Sequence, residues 1–135
     1  MKKKHLYFSM LCILIFLILS GCVSIDKEQI ARLNGDYQAQ ENGIVGSTEY
    51  TGYWHLYIHE EEISFYDNEA GNPGMAGTIT NLTKDQITIR IDMDNFEECP
   101  GDWQIVDGTI ILNYNIEETK LILKNSGCTI IFDNQ

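Results

Sequence analysis

The chain has 135 residues, enough for one hydrophobic core and too few for two. With 20 acidic residues against 9 basic ones it carries a net charge of −11. A surface of that sign repels nucleic acid and anionic headgroups and attracts cationic partners, so nucleic-acid binding is the first reading the composition excludes.

Lys2, Lys3, Lys4 and His5 form a cationic head, and residues 6–19 are almost wholly apolar. A spanning helix needs about 20 apolar residues. This run stops short of that at Ser20 and Gly21, which is the pattern of a secretory signal peptide. The stretch Leu19-Ser20-Gly21-Cys22 resembles the lipobox of bacterial lipoproteins. That resemblance implies cleavage after Gly21, a diacylglycerol and palmitate-type acyl chains on Cys22, and a domain held outside the cytoplasm in the cell envelope. Val23 lacks the Asp that signals inner-membrane retention in enteric lipoproteins, so an outer-membrane address is allowed. Each buried lipid methylene contributes about 0.8 kcal/mol, so two or three acyl chains make attachment long-lived. The implied organisation is a signal peptide at 1–21, a lipidated N-terminus and tether at 22–32, and a folded domain at 33–135. Three lysines and no acid leave with the leader, so 6 bases face 20 acids at a net charge of −14.

A single helical turn is expected around Ile30 to Leu33, and from Asn34 onward the periodicity is two. Residues 36–40 form a possible first strand, and 42–47 read as a loop. Residues 53–59 alternate, with Trp54, Leu56 and Ile58 on one face and Tyr53, His55, Tyr57 and His59 on the other. Glu60 and Glu61 turn the chain into a partner strand at 62–66, carrying Ile63 and Phe65 inward. A breaker-rich loop at 67–74 follows, then a weaker strand at 75–82. Residues 86–93 place Ile87, Ile89, Ile91 and Met93 on one face. Strands at 102–106 and 109–115 flank an Asp107-Gly108 hairpin turn, and 119–124 and 128–132 supply a last pair around Asn125-Ser126-Gly127. Eight or nine short strands with almost no helix predict an all-β domain, a single small antiparallel meander barrel or closed sandwich.

Leu33-Asn34-Gly35-Asp36-Tyr37, the run from Gly101-Asp102-Trp103 through Asp107-Gly108 to Ile111-Leu112, and the closing Gly127-Cys128-Thr129-Ile130 resemble small lipocalin-like bacterial lipoproteins. Tyr37 stands where that group prefers Trp. The resemblance implies a barrel whose interior or mouth takes a small apolar ligand.

Cys99 and Cys128 can pair in an oxidising envelope, where a bridge would tie the last strand to the barrel wall and contribute about 3 to 4 kcal/mol. The alternative is two buried free thiols serving as small core residues. No Cys-x-x-Cys or companion His pair marks a zinc site. His55 and His59 share a strand face but lie about 13 Å apart, too far for one ion. The acidic run Asp92, Asp94, Glu97, Glu98 lacks the glycine and spaced terminal glutamate of an EF-hand. No nucleophile-elbow pattern accompanies any serine, and one of the three histidines, His5, lies in the leader. The chain is therefore expected to be no enzyme and to need no cofactor beyond the lipid on Cys22.

Two non-enzymatic roles remain. In one, Tyr53, His55, Tyr57, Tyr66 and Arg90 line a cavity for a small apolar or amphipathic molecule. In the other, the domain is an acidic inhibitor or immunity lipoprotein for a cationic hydrolase or toxin. Glu60, Glu61, Glu62, Glu97, Glu98 and Asp102 would then steer the partner, with Tyr57, Tyr66 or Trp103 as anchors. The bulk of Trp54, Leu56, Ile87, Ile89 and Ile91 favours a filled interior, since a barrel of about eight strands has room only for its own side chains or one small ligand.

Overall fold

The computed structural model describes residues 24–48, 53–67 and 73–135. A short helix α1 (Lys27–Ala31) precedes eight strands: β1 (Gly35–Val45), β2 (Trp54–His59), β3 (Glu62–Asp67), β4 (Pro73–Leu82), β5 (Gln86–Ile91), β6 (Thr109–Glu117), β7 (Lys120–Asn125) and β8 (Cys128–Asn134). Each strand pairs antiparallel with the next, and β8 returns to pair with β1, so the sheet closes into the expected barrel. Closure pairs both edges of the sheet, so among the described residues no strand edge is left free to template association.

The alternation in the sequence decides which face points in. Trp54, Leu56 and Ile58 on β2, Ile63 and Phe65 on β3, and Ile87 and Ile89 on β5 are each at most 1 % exposed. Together with residues such as Leu112, Leu123 and Phe132 they form one hydrophobic cluster that fills the barrel, as their volumes require for eight strands. Two-residue turns join several strands. Asp107-Gly108 and Ser126-Gly127 both take positive φ at both positions, the conformation that matches the twist of a tight hairpin.

Four local expectations change. The loop expected at 42–47 is largely strand: β1 runs on to Val45 through a register shift between Ala39 and Ile44, with Asn42 at φ 60 absorbing the bulge. The strand expected at 102–106 is reduced to a single bridge between Val106 and Thr109. Its Trp103 leaves the ladder to plug the barrel end, where it is 5 % exposed. The chain leaves the sheet after Ile91, so Met93 sits in a 3-10 turn (Met93–Asn95) and is 51 % exposed rather than inward. The helical turn expected around Ile30 starts earlier, as α1, capped by the Asp26 carboxylate accepting from the Glu28 N–H.

That last change also revises the tether. From Ile25 onward the chain packs on the barrel, with Ile25 against the core and Ile30 and Leu33 inside it. The Gln29 amide donates to the Thr83 carbonyl and to the Tyr114 hydroxyl, and Asn34 accepts from the Glu60 N–H at 2.9 Å. The up-and-down order then sets the two ends of the barrel. One end carries α1, the turns at 60–61, 83–85 and 118–119, and the C-terminus. The other carries the end of β1, the start of β2, the end of β3, the start of β4, residues 92–108 and the turn at 126–127.

Candidate interaction surfaces

The residues expected to line a ligand cavity lie on the outside of the barrel. Tyr53 and Tyr57 are 42 % and 39 % exposed, Arg90 is exposed, and His55 and Tyr66 are half-buried. The reason is the two-residue period itself: with Trp54, Leu56 and Ile58 inside, Tyr53, His55, Tyr57 and His59 must point out. His55 stands opposite Tyr66 in the β2–β3 register, and the Tyr57 and His59 rings are near-parallel with centroids 6.3 Å apart. The result is an outward aromatic strip along β2 with Tyr66 beside it, while Arg90 is separated from it by β3 and β4.

Arg90 instead shares a cross-strand row with Glu62, with Thr78 between them. The pairings His59 with Glu62, Glu62 with Thr78, and Thr78 with Arg90 run as one cross-strand row over four strands. This row borders an open groove of about 1110 Å3 at the α1 end. Glu60, Glu61 and Glu62 form one wall, Lys27 and Ala31 of α1 another, and Ile30 and Ile79 lie at its base. The Glu61 carbonyl accepts from the Ile79 N–H at 2.7 Å, which fixes the hairpin tip over β4. Lys27, Thr78 and Thr80 are groove residues that the sequence did not single out, because only the strand register brings the two threonines, and only the packing of α1 on the barrel brings Lys27, to the side of Glu62.

The opposite end is charged differently. Residues 92–108 contain Asp92, Asp94, Glu97, Glu98, Asp102 and Asp107 and no base. All but the half-buried Asp102 are exposed. The segment is held in shape by its backbone and by Asp102: the N–H groups of Glu97 and Glu98 both donate to the Gly74 carbonyl, and Asp102 accepts from the Thr48 N–H at 2.7 Å and hydroxyl at 3.0 Å. Trp103 anchors it from inside, donating from Nε1 to the Cys128 carbonyl at 3.3 Å. Trp103 is therefore a core plug and not an exposed anchor for a partner. Among the described residues no group of three or more His, Cys, Asp and Glu side chains gathers as a metal site.

The bridge expected between Cys99 and Cys128 is not formed; both are free thiols. They turn to different neighbours. Cys99 donates to the Met75 sulfur at 3.7 Å, whereas Cys128 is fully buried with its sulfur against Gly101. Burial pushes the Cys99 thiol from 9.0 up to about 11. Burial also raises Cys128, helped by the Asp102 charge and opposed by hydrogen bonds from the Asp102 backbone and Ser47. Both are protonated at neutral pH and so make weak nucleophiles. Cys22, the expected lipid site, lies outside the described residues.

No protein-family profile, no curated protein and no solved structure matches this chain.

Proposed function

We propose that the chain is a membrane-anchored lipoprotein of the bacterial envelope and that its barrel is a non-enzymatic interaction module for a basic protein, such as a cationic hydrolase or toxin. The observation that carries this reading is the segment 92–108, six carboxylates without a base, on the barrel end opposite the N-terminus. An anchor at Cys22 would leave that end pointing away from the membrane, where a partner can reach it. The aromatic strip beginning at Tyr53 opens towards the same end and offers rigid contact area beside the charge. The filled interior speaks for an external partner over a small ligand carried inside.

The test is retention of proteins from envelope extract by the immobilised chain, at low and high salt, with a variant carrying Asp94→Asn, Glu97→Gln and Glu98→Gln. A basic protein held at low salt, released by salt and held several-fold less by the variant is the expected result. Retention indifferent to salt and to the variant, or a small molecule co-purifying in native mass spectrometry, would overturn it.

A further inference from the structure

The groove at the α1 end has a place relative to the membrane that follows from chain length. Ser24 and Ile25 are among its lining residues. Only Cys22 and Val23 separate Ser24 from the end of the signal-like segment. At 3.3 to 3.6 Å per residue, the three steps from Cys22 to Ile25 reach about 10 Å at most. Because Ile25 already packs on the barrel, no slack remains downstream. With acyl chains on Cys22 as the anchor, the membrane-embedded part begins within that distance of Ile25; with the apolar run at 6–19 kept instead, the six steps from Leu19 to Ile25 allow about 20 Å. The headgroup layer is itself only about 5 to 8 Å deep on each side of the hydrocarbon. With the lipid anchor, the end of the groove at Ser24 and Ile25 therefore lies within reach of the headgroups.

The charges at this end are of both signs. Lys27 lines the groove together with Glu60, Glu61 and Glu62, while Arg90 lies at its far side, beside Asp92 and Asp94. Around it, Arg32 follows α1, Lys84 lies in the turn at 83–85, and Lys120 opens β7. Lys27, Arg32, Lys84 and Lys120, four of the six bases downstream of the leader, thus sit at the anchor end, interleaved with carboxylates, whereas residues 92–108 at the other end have carboxylates alone. A net charge of −14 outside the leader repels an anionic lipid surface. A zwitterionic headgroup with a primary amine fits the interleaving: its phosphate pairs with a lysine or arginine and its ammonium with a glutamate.

We propose that the α1 end of this groove docks on the bilayer surface and receives phosphoethanolamine headgroups, with Lys27 taking the phosphate and Glu60, Glu61 and Glu62 the ammonium. The inference rests on the membrane anchoring proposed above and not on the identity of any protein partner. Docking fixes the orientation of the barrel, holding the acidic segment 92–108 away from the membrane.

The experiment uses the full chain, isolated from membranes and reconstituted into vesicles of phosphatidylethanolamine with phosphatidylcholine, or of phosphatidylcholine alone. Flotation reports anchoring, and amide hydrogen exchange reports docking. In the ethanolamine vesicles, exchange over residues 24–34 and 58–63 slows roughly tenfold relative to detergent. Exchange over 92–98 does not change, and phosphatidylcholine alone gives less protection because its quaternary amine cannot donate to the glutamates. A variant with Lys27→Glu floats as before and loses the protection. If the chain floats but its groove exchanges as in detergent, or the 92–98 end is protected instead, the docking inference is wrong while anchoring stands. If protection in detergent rises with protein concentration, a second copy occupies the groove and the inference is likewise wrong. If the chain does not float, anchoring fails and the inference falls with it.

Discussion

Trp103 stands edge-on to Phe65, ring centroids 5.5 Å apart and planes at 84°, inside the barrel end opposite α1. The pairing joins the long connection at 92–108 to the wall of the barrel, because Phe65 also packs on Phe132 of β8. Truncation of Trp103 to Ala removes this plug and is expected to cost about 3 to 5 kcal/mol in urea unfolding. Trp103→Phe keeps the edge contact but leaves the Cys128 carbonyl without its indole donor, for a loss of about 1 to 3 kcal/mol. Equal stability of both variants and the parent would show that the connection is not held from inside.

The filled interior makes opposite forecasts for neighbours on one strand. Ile58→Ala empties part of the core and is expected to cost about 2 to 5 kcal/mol. Tyr57→Ala, one residue away on the outer face, should shift stability by less than about 0.5 kcal/mol. Denaturant midpoints measured side by side decide this, and a reversed order would mean that the strand faces the other way.

Gly101 takes φ 76, and a Cβ there would lie 2.7 Å from the Cys128 sulfur. Gly101→Ala combines left-handed backbone strain with a clash and is expected to destabilise by about 1 to 3 kcal/mol. Adding Cys128→Ala relieves the clash but not the strain, so the double variant loses less than the sum of the two single changes. Strict additivity in that thermal or denaturant cycle would place the whole cost in the backbone.

The Cys99 thiol, pushed by burial from 9.0 to about 11, should alkylate slowly at neutral pH and show a rate profile centred near 11 in native protein. Its folded value lies above its unfolded one, so its contribution to stability is complete below pH 9 and is lost as pH rises through about 11. Cys128, raised above 9.0, and Tyr37, raised above 10.0, both chiefly by burial, act in the same direction. Unfolding measured across the alkaline range should thus fall in parent protein and fall less over that first window in Cys99→Ala. A profile centred near 9 in native protein would mean that the thiol is solvated.

Tyr37→Phe removes the hydroxyl that donates to the Leu33 carbonyl at 2.8 Å inside the core. Losing it leaves a buried acceptor unpaired and is expected to cost about 1 to 3 kcal/mol. This tyrosine, standing where the resembling group prefers Trp, ties the entry of β1 to the end of the segment that carries α1. An unchanged midpoint would mean that water replaces the bond.

What could be read from the residues alone was the architecture and the facing of its strands. Alternation along Trp54 to His59 and Ile87 to Ile91 has a single reading when bulky aliphatic side chains recur every second position, since a shift of one residue would turn the whole set to solvent. The glycine turns at Asp107-Gly108 and Ser126-Gly127 were legible for a similarly local reason, the need for positive φ.

The surfaces were decided by tertiary structure, because they depend on which strands become neighbours. Glu62 and Arg90 lie 28 positions apart in the chain and share a row only through Thr78, a residue with no signal of its own. Trp103 sits in a stretch that alternates like a strand, yet the open barrel end rewards burying its ring more than extending the ladder. Cys99 and Cys128 could be read as a pair, but each sulfur finds its own packed niche, against Met75 and against Gly101. Local periodicity fixes the face each side chain takes, whereas closure of the sheet fixes its neighbours.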